Sequence, residues 1–322
     1  MSLSAFPIPM DAPEPLVWGL AGVLGVLLLG TAAALLMPRL KPGADHGELR
    51  KRVASWWVMI LLIAAALLAG RTAVIALFAL ISFLALREFL SLAPLRREDR
   101  LVLLFAFLTI PVSYALIGTR LYLIYLVAAP VWFFLLASFL MCVIGQTKGY
   151  LARAAIIQWG VLGCVYALGY GAMLMNVPEA ELPVAGAAGL VFFLLVMTEL
   201  NDVLQYVCGR LFGRHKVIPA VSPNKTWEGL IGGWVLTGAL IWLLAPVFTP
   251  LEGVGRLAMA FGLPLAGFAG DVTLSAIKRD LGVKDASGLI PGHGGVLDRV
   301  DSLVFTAPFF FHVLAFYALD SF

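Results

Sequence analysis

Apolar runs too long for a soluble core recur from one end of this chain to the other. Residues 16–37, 53–69, 71–93, 101–119, 121–145, 153–175, 184–208, 227–249, 255–277 and 302–320 are dominated by Leu, Ala, Val, Ile, Phe and Gly. About 18 such residues cross the hydrocarbon of a bilayer as a helix. In that solvent only a helix or a closed barrel satisfies its own backbone. The sequence therefore predicts an all-α, polytopic integral membrane protein with ten spans. With 61% hydrophobic and 13% charged residues, against roughly 25% charged in soluble chains, no separate soluble domain fits. Only Gly70-Arg71 divides the second run from the third, which makes them a tight hairpin or one interrupted element.

Lysine and arginine in short loops set orientation. With the N-terminus outside, 19 of the 22 basic residues fall on the inner side, and only Arg71, Arg120 and Arg256 fall outside. Acids without bases (Asp11 and Glu14, Glu179 and Glu181) mark the outer tail and an outer loop. Both termini are thus expected outside, and the 209–226 and 278–301 loops share the cytoplasmic face. The first run reads as a signal anchor, since no basic n-region precedes it and no small-residue cleavage site follows. A net charge of +3 spread over five loops, with no aromatic-basic stripe, excludes a nucleic-acid partner and suits contact with anionic membrane lipids. Cys142, Cys164 and Cys208 are odd in number and sit in or beside apolar runs, as small buried packing residues do.

Charge is concentrated late in the chain. Between Gly270 and Ser302, nine charged side chains lie between two apolar runs. On a helix Asp271, Ser275 and Lys278 fall at i, i+4 and i+7, on one face. Glycines 288, 292, 294 and 295 then allow backbone N–H groups to approach an anion. Asp298 and Asp301 follow. Acids interleaved with bases around a Gly-rich loop suggest a divalent metal holding phosphates. Earlier, Glu199, Asp202, Tyr206 and Arg210 share a helical face at the inner membrane boundary. Glu199 is either functional or a solvated extension of its helix, whereas Asp202, close to the apolar core, reads as functional. In Val221-Ser222-Pro223-Asn224-Lys225-Thr226-Trp227-Glu228-Gly229, Ser222 and Pro223 are expected as N-cap and N1 of the next helix. A cation at Lys225 would then oppose the helix dipole unless an anion were bound there.

These residues resemble the motifs of the phosphatidate cytidylyltransferases (CDP-diacylglycerol synthases). Ser275-x-x-Lys278-Arg279, Lys284-Asp285, Pro291-Gly-His293-Gly-Gly and Leu297-Asp298-Arg299-Val-Asp301 are similar to the family's C-terminal motif. Gly209-Arg210 and Ser222-Pro-Asn-Lys225-Thr226-Trp-Glu228-Gly229 are similar to its upstream motif, and the likeness extends through residues 195–322. One departure stands out. The family usually has Asp-Thr-x-Ala-Tyr, and this chain has Asp202-Val203-Leu204-Gln205-Tyr206, which puts the lipid acceptor in question.

The resemblance implies nucleotidyl transfer from CTP to phosphatidic acid, giving CDP-diacylglycerol and pyrophosphate at the cytoplasmic face. It assigns Mg²⁺ to Asp271 and Asp298, with Asp301 as a further ligand and K⁺ as a candidate second cation, and places Lys278 and Arg279 with these acids in the catalytic set. Substrate contacts are expected from Asp202, Ser222, Asn224, Lys225, Thr226, Ser275, Lys284, Asp285, His293, Gly294, Gly295 and Arg299. Residues 191–322 would carry the chemistry, with 1–190 serving packing, lipid access and the contacts of a homodimer. Glu88 matches a family acid or forms a structural ion pair. His46 and His215 are expected to be solvated, and His312 to pack among phenylalanines; His293, between glycines with little to pack against, is expected on phosphate. The same chemistry on a related lipid or polyprenyl phosphate, a transporter of a phosphorylated solute, and a non-catalytic scaffold are the competing functions.

Overall fold

The computed structural model describes residues 12–40, 47–145 and 147–318. Ten apolar helices follow one another: α1 Glu14–Leu40, α2 Gly47–Ala69, α3 Arg71–Leu92, α4 Arg97–Gly118, α5 Tyr122–Val143, α6 Tyr150–Asn176, α7 Gly186–Phe212, α8 Trp227–Phe248, α9 Gly253–Asp280 and α10 Leu303–Tyr317. No strand occurs among the described residues; two isolated bridges, Lys216 with Thr226 and Ile290 with Gly294, tie down loops. Nine of the helices are long and apolar enough to cross a membrane, and the protein is an integral membrane protein. His46 lies outside the described residues.

The tenth helix is shorter than expected. Its 15 residues rise about 22 Å, less than the hydrocarbon thickness of about 30 Å. The chain before it, from Leu297 to Ser302, runs as a 3₁₀ turn and an irregular turn among other elements. That segment carries Asp298 and Asp301. Gly70, at φ 90°, resolves the question over residues 53–93: it breaks the run, and α2 and α3 pack on each other as a hairpin.

Close approach of backbones sets where the charged residues meet. A Cβ on Gly229 of α8 would lie 2.8 Å from the Gln205 carbonyl oxygen and 2.9 Å from Gly209 Cα, so α7 and α8 touch main chain to main chain, as small residues allow in membranes. A Cβ on Gly270 of α9 would lie 2.5 Å from the Asp301 carbonyl oxygen. The Asp301–Ser302 turn thus lies directly on α9, one residue before Asp271. α10 packs against α6, α7 and α9, which joins the late charged region to the early helices.

Two arginines are paired within the bundle. Arg153 meets Asp99 at 3.2 Å. At the other end Arg71 donates to Asn176 and to the carbonyls of Ile117 and Gly118. Cys164 and Cys208 are buried and Cys142 is exposed, all three as free thiols; the expectation of burial fails at Cys142, whose Sγ lies 3.6 Å from the Tyr150 hydroxyl at the end of its helix.

Candidate active site

The cap of α8 is Thr226, not Ser222. Thr226 has an extended backbone and its Oγ1 accepts from the Gly229 N–H at 3.2 Å. Ser222 and Pro223 belong instead to a turn closed by Ser222 N–H to the Ile218 carbonyl, 2.9 Å, and Lys225 N–H to the Ser222 carbonyl, 3.3 Å. The reason is local: Glu228, two residues past the cap, accepts from the N–H groups of Arg214 and His215 and from His215 Nδ1 at 2.6 Å. This pulls residues 214–226 back over the helix start. His215 is therefore paired, although exposed. Lys225 precedes the first turn, so the expected conflict with the helix dipole does not arise. Its ammonium reaches across to α9 and meets Asp271 Oδ2 at 2.6 Å, lying over the Phe268 ring at 4.8 Å.

α9 continues unbroken through Asp280, so Asp271, Ser275 and Lys278 do share one helix. Ser275 Oγ donates to Asp271 Oδ1 at 3.2 Å. Lys278 turns elsewhere: its Nζ meets Asp298 Oδ1 at 2.6 Å, both side chains nearly inaccessible. Asp298 Oδ2 accepts from the N–H groups of Ala286, 2.7 Å, and Gly295, 2.9 Å. Asp298 thus knits α9 to the two ends of the 285–296 loop. A second acid does the same from outside. Glu88, at the end of α3, accepts from Ser287 Oγ, Val296 N–H and Leu297 N–H at 2.7, 3.1 and 2.8 Å; its role is a loop clamp made of hydrogen bonds. Gly295 is where the clamp closes, since a Cβ there would lie 2.4 Å from Glu88 Oε2. The loop tip docks on α2, through Ser55 Oγ to the Pro291 carbonyl at 2.8 Å and through His293, edge-on to Trp56 with ring centroids 5.8 Å apart. His293 therefore has an aromatic partner, contrary to expectation. Burial, the Arg299 charge and the Arg52 charge hold its imidazole below the ordinary 6.5 against an opposing backbone hydrogen bond at Pro291.

The acids left without such support gather at Ser302. Ser302 Oγ donates to Asp202 Oδ2 at 2.8 Å, while Asp202 Oδ1 is buried with no partner. Asp301 Oδ1 accepts from the Ser302 N–H at 2.9 Å. Burial first, and then the charges of Asp271 and Asp202, push the Asp301 carboxyl up to about 8. Arg299 Nε is also buried and unpartnered.

A cavity of about 410 Å³ opens between α7, the 214–226 loop, α8 and α9, lined among others by Asp202, Gln205, Lys225, Thr226, Phe268 and Asp271. That volume lies in the range of small-molecule sites. Asn224 borders the cavity, as do Tyr206 and Arg210, which hydrogen-bond each other at 2.9 Å. The other expected residues divide. Gly294, Gly295 and His293 form the closed loop. Arg279, exposed, donates to the Val283 carbonyl beyond the end of α9, and Lys284 and Asp285 are exposed on the loop surface. His312, expected to pack, does so against Tyr170 and Phe311. Phe268 and Gln205 were not among the expected contacts; a lone phenylalanine in an apolar run carries no signal, whereas a glutamine in one does.

Residues 50–317 match the profile of the Cytidylyltransferase family. Over 297 residues, 92% of this chain and 97% of the relative, the sequence is 38% identical to "Uncharacterized protein YnbB" of Escherichia coli (strain K12). It is 42% identical over 121 residues to the phosphatidate cytidylyltransferase of Mycobacterium leprae, and 42% over 130 residues to that of Haemophilus influenzae. These last matches cover 36% and 38% of this chain and 38% and 44% of the relatives, so less than half of each enzyme is spanned. With four-fifths of its length matched by one profile, and a lysine and an aspartate meeting at a cavity of ligand size, the chain belongs to the Cytidylyltransferase family.

Proposed function

We propose that this protein transfers a cytidylyl group from CTP to a membrane lipid phosphate, with phosphatidic acid as acceptor, CDP-diacylglycerol as product and pyrophosphate released at the cytoplasmic face of the bacterial inner membrane. The observation that carries the reading is the bridge from Lys225 to Asp271 across the cavity, beside an Asp202 whose second oxygen has no partner. Half-buried acids kept with too few donors await a charge from outside. Mg²⁺ fits this donor set. Among the described residues no three His, Cys, Asp or Glu side chains form a ready-made metal cage, but Mg²⁺ needs only one or two carboxylates and completes its shell with phosphate oxygens and water. Two of Asp202, Asp271 and Asp301 would hold it. Asp298, with three donors already, is better suited to holding Lys278 in place.

A lipid phosphate is already an anion, so its attack on the α-phosphorus of CTP needs no general base. The difficulty is bringing two polyanions together while charge grows on the departing pyrophosphate, and the remedy is positioning and neutralisation. Lys225 would exchange Asp271 for a phosphate oxygen. Arg299 would offer its unpartnered Nε–H, and Thr226 and Asn224 would border the bound phosphates. When bound, Mg²⁺ supplies charge neutralisation between phosphate oxygens. Purified protein given labelled CTP and phosphatidic acid should form labelled CDP-lipid with Mg²⁺ and none in excess chelator. Label that enters sealed vesicles without forming a lipid product would instead indicate transport.

A further inference from the structure

Gln205 lines the cavity, and its amide Nε2 has no hydrogen-bond partner among the described residues. It is 9% exposed and lies one turn beyond Asp202, with Nε2 itself buried. Its root is clamped: a Cβ on Gly233 of α8 would lie 2.3 Å from Gln205 Cγ and 2.7 Å from its backbone N. Backbone and first carbons are therefore fixed, and only the carboxamide is left to meet a ligand. Val203, the other departure from the Asp-Thr-x-Ala-Tyr pattern, is 49% exposed and does not line the cavity. An alanine at 205 would carry no donor.

Resting on the cytidylyltransferase reading, we propose that Gln205 selects the lipid acceptor: Nε2–H donates to an oxygen a few bonds from the lipid's phosphate, favouring glycerol-based lipid phosphates over prenyl phosphates. The cavity mouth supports a lipid there. Tyr206 borders it at 63% exposure, and Val203 and Val207 beside it on α7 are exposed and apolar, a surface that faces acyl chains in a membrane helix. A glycerolipid carries ester or hydroxyl oxygens beside its phosphate. A prenyl phosphate carries only carbon there and would leave the buried donor unpaired. Sites built to hydrogen-bond a group discriminate strongly against analogues lacking it.

Rates and lipid binding should be measured for phosphatidic acid and undecaprenyl phosphate in mixed micelles, binding being read without CTP as the thermal shift each lipid gives. The wild type is compared with Gln205→Ala and with Gln205→Met, which keeps the packing over Gly233. The wild type should prefer phosphatidic acid by about tenfold or more. Both variants should lose most of that preference, through the KM for lipid and the lipid-induced shift, with the KM for CTP unchanged. A preference that survives both variants, a wild type that does not discriminate, or a variant whose KM for CTP rises instead would overturn the assignment. Because binding is read without CTP, a wild type that makes no CDP-lipid yet binds phosphatidic acid in a Gln205-dependent way would sink the catalytic reading and leave this one standing.

Discussion

Asp298 and Asp202 are the same residue type, one buried and one half-buried at the same end of one bundle, yet their surroundings differ in kind. Around Asp298 the chain supplies every partner: the Lys278 ammonium and the N–H groups of Ala286 and Gly295. Around Asp202 it supplies one serine hydroxyl and leaves an oxygen bare, with Asp271 and Asp301 close enough to act on each other. Burial disfavours a charged carboxylate unless something compensates. Where compensation is internal the acid is part of the frame, and where it is missing the acid can take the ligand proposed above. The closed loop and the open cavity are thus two uses of one chemistry.

Removing Asp298 tests the frame and should have the largest effect. Asp298→Ala strands the Lys278 ammonium among buried groups, and losing one partner of a buried pair costs about 3–5 kcal/mol. Unfolding in detergent should show a large loss. Combining Asp298→Asn with Lys278→Met removes the charge while keeping an acceptor for both loop N–H groups, and should restore most of the stability. A double variant as unstable as Asp298→Ala would mean that the ion pair is not what the loop depends on.

Asp271→Asn tests the cavity. Its carboxylate is paired with Lys225 at partial exposure, so the unfolding temperature should barely move. Turnover should fall by about 10²–10³, the size expected when one charge-stabilising group is lost. Full activity in this variant, or a collapse of stability like that of Asp298→Ala, would erase the distinction between the two regions.

The helices are legible in the sequence because a bilayer leaves the backbone no alternative, so the length of an apolar run nearly fixes the element. The late acids and lysines are equally legible as residues with work to do. Which work is less so, because Asp298 and Asp271 look alike until their partners are known, and two of the partners of Asp298 are backbone N–H groups. Glu88 acts on residues about two hundred positions away, a distance that no spacing rule reaches. Ser222-Pro223 matches a helix start as well as Thr226 does; what decides for Thr226 is the grip of Glu228 on Arg214 and His215.

The clamp by Glu88 offers a finer test within the closed loop. Gly295→Ala would drive a methyl group to 2.4 Å from Glu88 Oε2, an overpacking that costs about 1–3 kcal/mol. Shortening the acid by Glu88→Asp in the same chain should recover part of that loss. If Gly295→Ala alone leaves the unfolding temperature unchanged, the carboxylate does not sit against the glycine.

The smallest effect concerns His293, whose imidazole is held below its ordinary 6.5 by burial and by the charges of Arg299 and Arg52. A base that gives up its proton more readily when folded than when unfolded favours folding in its neutral form. Between the lowered folded value and 6.5 the unfolded chain binds more protons, so stability rises with pH across that window and is lost as the pH falls through it. Wild-type protein should therefore unfold at a lower temperature at pH 5 than at pH 7, with part of the difference absent in His293→Gln. The part that vanishes isolates the titration of the imidazole, since Gln carries no proton to gain. An identical pH slope in wild type and variant would place the imidazole in open solvent, leaving the Ser55 hydroxyl on the Pro291 carbonyl to hold the loop tip on α2.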